Sequence, residues 1–250
     1  MESHKTSAFV FRAFPFKDFD KRVILLTRDF GKITAIAPRA QKSQKRFGAG
    51  LESLTLLSVV YGEKATSSLA HLQEVQILDS FLGLKKNVKK IAYGSYFLEL
   101  LSEVMRENEV SGELFNFLHT FLKALEKSKE EELLARLFEA RLLPKIGYQP
   151  ILKQCLRCKM AMDLLQTGLS FSLDSGGILC SSCFRPSQEV VHKVSKEAIL
   201  YLDHMMSQKK SLPVNASLGR EIKMFLPSFL FHHLGKRLKS YDFIEKLVGE

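Results

Sequence analysis

Residues 22–37 read Arg22-Val23-Ile24-Leu25-Leu26-Thr27-Arg28-Asp29-Phe30-Gly31-Lys32-Ile33-Thr34-Ala35-Ile36-Ala37. Two β-like runs, Arg22 to Thr27 and Lys32 to Ala37, flank the turn chemistry of Asp29-Phe30-Gly31-Lys32, where Gly31 can take a positive φ. The stretch therefore predicts a hairpin. Working outward, Ala8 to Phe14, Leu54 to Tyr61 and Leu69 to Leu78 have the same character, and five strands in about eighty residues predict a small barrel. Between Arg39 and Gly50 the chain is polar and basic and holds two glycines. It reads as an exposed loop before the fourth strand.

From about Leu84 the apolar period changes from two to near 3.6. Tyr93, Phe97, Leu100, Leu101 and Val104 share one helical face, and Leu114, Leu118, Phe121, Leu122 and Leu125 share another. A third helix is expected over roughly Glu130 to Leu143, ended by Pro144 and capped by Gly147. Further on, Leu169, Phe171 and Leu173 alternate with Ser170 and Ser172, and Asp174-Ser175-Gly176-Gly177 turns the chain back through Ile178-Leu179. Ser195 can cap a helix carrying Ile199, Leu202 and Met206, and a last helical region holds Ile222, Phe225, Phe229 and Leu234. Pro227 should break or kink it. The fold class expected is α+β and multidomain: a barrel over 1–80, a helical domain in two parts over 81–152 and 187–250, and an inserted four-cysteine module over 153–186.

All four cysteines fall in that module, as Cys155-Leu156-Arg157-Cys158 and, 21 residues later, Cys180-Ser181-Ser182-Cys183. A hairpin between two such pairs can bring four soft thiolates around one tetrahedral ion. One structural Zn2+ is the expected cofactor, because four sulfur ligands leave no position for an activated water. Two disulfides, or reduced buried thiols, are the competing readings; the missing leader sequence and the tight pairing favour metal. Lys153, Arg157, Lys159 and Arg185 flank the ligands and can offset their negative charge.

The formal net charge is +10. Residues 1–50 hold eleven Lys/Arg against four Asp/Glu, which places +7 there and +3 in the rest. A local excess of this kind suggests a face for an anionic partner, nucleic acid before membrane. The candidate phosphate track is Lys17, Arg22, Lys32, Arg39, Lys42, Lys45 and Arg46, with Lys21 nearby. Phe14, Phe16 and Phe47 are the nearest rings for base stacking, although for each alone packing in the barrel core or a loop is the favoured reading. Lys85, Lys86, Lys89 and Lys90 either lengthen the track or form a solvated helix face.

No catalytic pattern emerges. Asp174-Ser175-Gly176-Gly177 looks like a serine-protease nucleophile loop over four residues only and is better read as the turn of the cysteine hairpin. The histidines form no HExxH or His-x-Glu arrangement, and no Gly-x-x-x-x-Gly-Lys-Ser/Thr loop is present. No stretch is long and apolar enough to span a bilayer. These features predict an intracellular, non-enzymatic protein.

Several stretches together resemble the RecO recombination mediators of bacteria. They are Phe9-Val10 with Phe16-Lys17-Asp18-Phe19-Asp20, Leu26-Thr27 with Gly31-Lys32, the Arg39 to Arg46 loop with Gly48 and Leu51, Gly147-Tyr148-Gln149-Pro150, Gly176-Gly177-Ile178-Leu179-Cys180, and Leu234-Gly235-Lys236-Arg237-Leu238-Lys239-Ser240. The resemblance covers nearly the whole chain. It implies an N-terminal OB-fold, a helical domain and a zinc module. It also implies a cytoplasmic, nucleoid-associated protein that binds single- and double-stranded DNA and anneals complementary strands. RecR and the single-strand-binding protein would be its partners, and it would help to load RecA. The acidic, aromatic-tipped tail of the single-strand-binding protein would be received on the helical domain, where Lys236, Arg237 and Lys239 lie near Phe229, Phe231 and Leu234. An RNA-binding or transcription-associated zinc protein is the alternative. Two departures stand out: the family often has glycine at Arg39, and a glycine commonly follows the first cysteine pair, where this chain has Lys159. Some members lack the cysteines, so the metal is not expected to read DNA itself.

Overall fold

The fold was obtained as a computed structural model, which describes residues 2–42, 47–63, 69–165, 168–185, 190–207 and 215–249. Strands β1 (Glu2–Phe16), β2 (Asp20–Thr27), β3 (Gly31–Ala37), β4 (Leu56–Glu63) and β5 (Ala70–Asp79) close into a barrel in the order β1-β2-β3-β5-β4. This is the strand order of an OB-type barrel. Closure depends on the length of β1, whose first half pairs with β4 from Glu2↔Glu63 to Phe9↔Leu56 while its second half pairs with β2 from Ala8↔Thr27 to Phe16↔Asp20. A register shift between Val10 and Arg12 lets the strand turn the corner between its partners.

Alternation explains the core. Val23 and Leu25 of β2, Ile33 and Ala35 of β3, and Leu57 and Val59 of β4 all point into one cluster. The opposite parity is also apolar at Phe9 and Leu26, because helices cover part of the barrel wall. Phe9 meets Phe115 at 4.9 Å between ring centroids. Phe47 is 3% exposed and belongs to the barrel core, which is the favoured of its two readings and leaves Phe14 and Phe16 as the stacking candidates.

The predicted hairpin forms, with Gly31 at φ +70. Its position is also sterically closed, since a Cβ there would lie 2.3 Å from the Glu109 carbonyl oxygen. That approach exists because Asn108 donates its backbone N–H to the Lys32 carbonyl at 2.8 Å, docking the segment between two helices onto the hairpin. Gly31→Ala should therefore destabilise the protein by about 2–3 kcal/mol, through positive φ and overpacking together. Denaturant unfolding with an unchanged midpoint would contradict this.

By packing, the chain divides into Met1–Lys129 with Leu238–Glu250, and Glu130–Arg237. In the first unit, helices α1 (Leu82–Lys85), α2 (Val88–Val104), α3 (Gly112–Lys127) and α7 (Lys239–Val248) accompany the barrel. Asn87 and Ser111 cap α2 and α3, accepting from Lys90 N and Leu114 N. In the second unit are α4 (Glu131–Leu142), α5 (Lys196–Ser207), α6 (Ala216–Leu234), and the antiparallel sheet β7-β6-β8 formed by β6 (Leu169–Ser172), β7 (Gly177–Leu179) and β8 (Val191–Val194). These units are drawn differently from the sequence boundaries at 80, 152 and 186. A 3.6-residue period shows which helical face is apolar, but not which element covers it.

Within the second unit, α4 stops at Leu142, followed by a short 3-10 turn that Gly147 closes at φ +80. Ser195 caps α5 as expected, accepting from Ala198 N at 3.0 Å. Proline does not end α6: Pro227 is buried within a helix that runs on to Leu234, with only the bond to the Lys223 carbonyl forgone. Phe171 on β6 packs against Phe225 and Phe229 of α6, at 4.9 and 5.2 Å between centroids. Phe229 is thus sheet-facing core, 1% exposed, and unsuited to an open peptide pocket. Among the described residues no helix is long and apolar enough to cross a membrane.

Candidate nucleic-acid interface and metal centre

The turn joining β1 to β2 stands beside the basic segment that follows β3, and backbone polar groups hold the two together. Arg39 N donates to Asp20 Oδ1 at 2.8 Å, Gln41 N to the Phe19 carbonyl at 3.0 Å, and Gln41 Nε2 to the Asp20 and Lys17 carbonyls at 2.9 and 3.4 Å. Lys17 and Arg39 both sit at positive φ, +52 and +58. That conformation costs a side-chain-bearing residue about 1–2 kcal/mol, a cost that glycine avoids.

The expected track residues separate. Lys17, Arg39 and Lys42 are exposed on these adjoining segments, with the Lys42 ammonium 3.7 Å from the Phe19 ring centroid. Arg22 is half-buried on β2, with its guanidinium 5.9 Å from the Phe14 ring. It also lines a cleft of about 490 Å3 with Ile33, Thr34, Glu63 and Glu107. The two carboxylates make that cleft unfavourable for phosphate, so Arg22 is available mainly on its Phe14 side. Lys45 and Arg46 lie outside the described residues.

Lys32 corrects the sequence reading. Its ammonium donates to the Ser102 and Met105 carbonyls at 2.9 and 2.6 Å, at the C-terminal end of α2. Those carbonyls lack helical partners and carry the negative end of the helix dipole, so a cation belongs there. Lys32 is a helix cap rather than part of an outward track. Lys32→Ala should lower stability by about 1–2 kcal/mol with DNA affinity unchanged, as thermal melts and titrations of the same preparations would show. Two of the four lysines near α2 are similarly tied: Lys85 to Thr55 Oγ1 at 3.0 Å and Lys90 to the Glu126 carbonyl at 2.8 Å.

In the second unit the four cysteines are unbridged, and their sulfurs all lie within 4.8 Å of one another. Each pair forms a tight turn. Lys159 N donates to the Cys155 carbonyl at 3.0 Å, and Cys183 N to the Cys180 carbonyl at 3.0 Å. The strands β6 and β7 then carry Cys180 back so that its N–H points at Cys155 Sγ, 3.5 Å away. Cys158 and Cys180 sulfurs are 3.8 Å apart. A zinc–thiolate tetrahedron with bonds of about 2.3 Å has edges of about 3.8 Å, so the cluster fits a four-sulfur metal site.

Electrostatics point the same way. Burial raises the Cys155 thiol, but the backbone N–H groups of Cys180, Cys158 and Arg157 and the Cys158 thiol outweigh it and bring Cys155 down to about 6. Cys183 is pushed up to about 12, first by its hydrogen bond with the Cys180 thiol, then by burial and the other two sulfurs. Four thiolates so close cannot all ionise unless a cation sits among them. Arg157 and Arg185 reinforce the second turn by donating to the Cys183 carbonyl and to the Ser182 and Phe184 carbonyls, at 3.0–3.1 Å. Lys159, just after the first cysteine pair, lies at φ +61 and is again left-handed.

The tail-binding residues named from sequence differ in their surroundings. Phe229 is core, Phe231 is half-buried with Arg237 5.9 Å from its ring, and Lys239 begins α7 in the first unit. What the sequence missed is Phe19, 44% exposed at the tip of the β1–β2 turn. Its spacing of three from Phe16 offers no strand alternation to mark it.

Fold and sites together define an OB-barrel protein with a mainly helical C-terminal part and a four-thiol cluster of metal-site geometry. The chain belongs to the RecO family: the model described as Recombination protein O N terminal matches residues 1–81, and that described as Recombination protein O C terminal matches residues 86–242. The chain is 33% identical over 250 residues to the DNA repair protein RecO of Syntrophus aciditrophicus, covering 98% of this chain and 96% of that relative. The DNA repair protein RecO of Anaeromyxobacter dehalogenans is also 33% identical, with 99% and 98% covered. The like-named protein of Symbiobacterium thermophilum is 29% identical, with 99% and 98% covered.

Proposed function

We propose that this chain is a non-catalytic mediator of recombinational DNA repair. It binds single- and double-stranded DNA on the barrel, anneals complementary strands and helps to load RecA on DNA coated with single-strand-binding protein. RecR and the acidic tail of the single-strand-binding protein are its protein partners, and one structural Zn2+ sits on Cys155, Cys158, Cys180 and Cys183. The observation that carries this reading is the end-to-end match to relatives named DNA repair protein RecO. The exposed Lys17, Arg39 and Lys42 around one backbone-tied turn give it a physical basis. These four residues would hold the ion, and zinc would supply a cross-link between the two cysteine turns with no open position for an activated water.

Phosphate contacts release counterions, so affinity must fall with salt in proportion to the contacts made. If Lys17, Arg39 and Lys42 each meet a phosphate, replacing all three by glutamine should reduce the single-strand salt slope by about 2. Titrations at several salt concentrations provide the slope directly. An unchanged slope would place the DNA elsewhere on the molecule.

A further inference from the structure

Three phenylalanines stand within six residues of the β1–β2 turn: Phe14, Phe16 and Phe19. Phenylalanine is among the side chains most often buried, yet Phe14 is 37% and Phe19 44% exposed, and Phe16 is half-buried. The barrel core is filled without them. Each ring also has a cation of its own: Arg22 at 5.9 Å from Phe14, Lys17 at 5.5 Å from Phe16 and Lys42 at 3.7 Å from Phe19. Asp18 and Asp20 also lie on this turn, but Asp20 Oδ1 accepts from Arg39 N at 2.8 Å, and the five basic residues Lys17, Lys21, Arg22, Arg39 and Lys42 outnumber them. The repeated unit is an aromatic face with a positive group beside it, and a nucleotide is the ligand that joins a flat π-face to a negative charge.

Local geometry favours a built platform over an accidental patch. Phe14 and Phe16 are two apart on β1 and share one face of it, paired across the hairpin with Arg22 and Asp20. Pro15 between them fixes its own φ. The turn is strained at Lys17 and pinned by the hydrogen bonds from Arg39 and Gln41 already described, so little ordering remains to be done when a ligand arrives.

We propose that the β1–β2 turn is a stacking wedge for the unpaired bases of single-stranded DNA, with Phe14, Phe16 and Phe19 offering ring faces and Lys17, Arg22 and Lys42 meeting the adjoining phosphates. The proposal rests on the DNA-binding reading above and adds to it what reads the bases. Duplex bases already stack on their neighbours, so the rings act on single strands while the cations act on both forms. The wedge thus gives this barrel a preference that phosphate contacts alone cannot supply.

The test uses the full chain with a short oligothymidylate and with a duplex of equal length. Phe14→Ala, Phe16→Ala and Phe19→Ala should each weaken oligothymidylate binding at least about fivefold, the low end of a base–aromatic stack. Duplex affinity, salt slope and melting temperature should stay near those of the parent, and Phe→Trp at the same positions should restore binding. Unchanged single-strand affinity in all three alanine variants overturns the wedge, as does an equal loss for duplex. Failure of the parent reading looks different: the parent protein would then bind neither DNA, or bind with no salt dependence.

Discussion

Cys180→Ser is expected to abolish metal binding, taking zinc from one ion per chain to none and loosening the hairpin of the second unit. Cys180 lies at the centre of the cluster, with its sulfur 3.8 Å from Cys158 and its N–H on Cys155 Sγ. A hydroxyl in its place is a poor ligand for a soft-donor site. Among the described residues the module around it has a three-stranded sheet with strands of three and four residues, while structural zinc contributes an apparent binding free energy of about 10–16 kcal/mol in small modules. Metal analysis and thermal melting of reduced protein, with and without chelator, measure both consequences. Metal-free parent protein with an unchanged melt in the variant would refute the zinc assignment and leave the barrel reading untouched.

Glu139→Ala should destabilise the chain by about 3–5 kcal/mol. Arg136 and Glu139 lie one turn apart on α4, with Arg136 Nη2 2.6 Å from Glu139 Oε1 and side chains 1% and 0% exposed. Removing one partner leaves the other charge buried in low dielectric, which is the costly half of such a pair. Replacing both, as Arg136→Met with Glu139→Leu, should recover most of the loss because neither desolvation term remains. Denaturant unfolding of the single and double variants checks the sign of this recovery. A mild single variant, within about 1 kcal/mol of the parent, would mean that water or another group replaces the lost carboxylate.

The parts of the fold legible in the sequence are those in which one residue type has one physical use. Alternation in Val23-Ile24-Leu25 and Ile33-Thr34-Ala35, with Gly31 between them, left little besides a hairpin, and the barrel followed. The four cysteines were legible because their spacing has few other uses. Charge was less informative, since a lysine's sequence position does not say where its ammonium goes: Lys32 caps α2, whereas Lys17 and Lys42 stay outside. Phe47 in the core and Phe19 in the open could not be told apart for a similar reason, as loop aromatics carry no period to show which way they face. Strand β8 escaped notice because Val191-His192-Lys193-Val194 is short and half polar; only its pairing with β6 makes it a strand. Pro227 was read as a breaker, but the packing of Phe225 and Phe229 on Phe171 holds α6 together on both sides of it.

Annealing tests the central claim most directly. Two complementary strands, each coated with single-strand-binding protein, are mixed with the full chain in the absence of any nucleotide, and duplex formation is followed by fluorescence. The account predicts acceleration over the coated strands alone, lessened by salt and by neutralising Lys17, Arg39 and Lys42 together. Duplex forming no faster with the protein than without it, under low salt where phosphate contacts are strongest, would contradict the account.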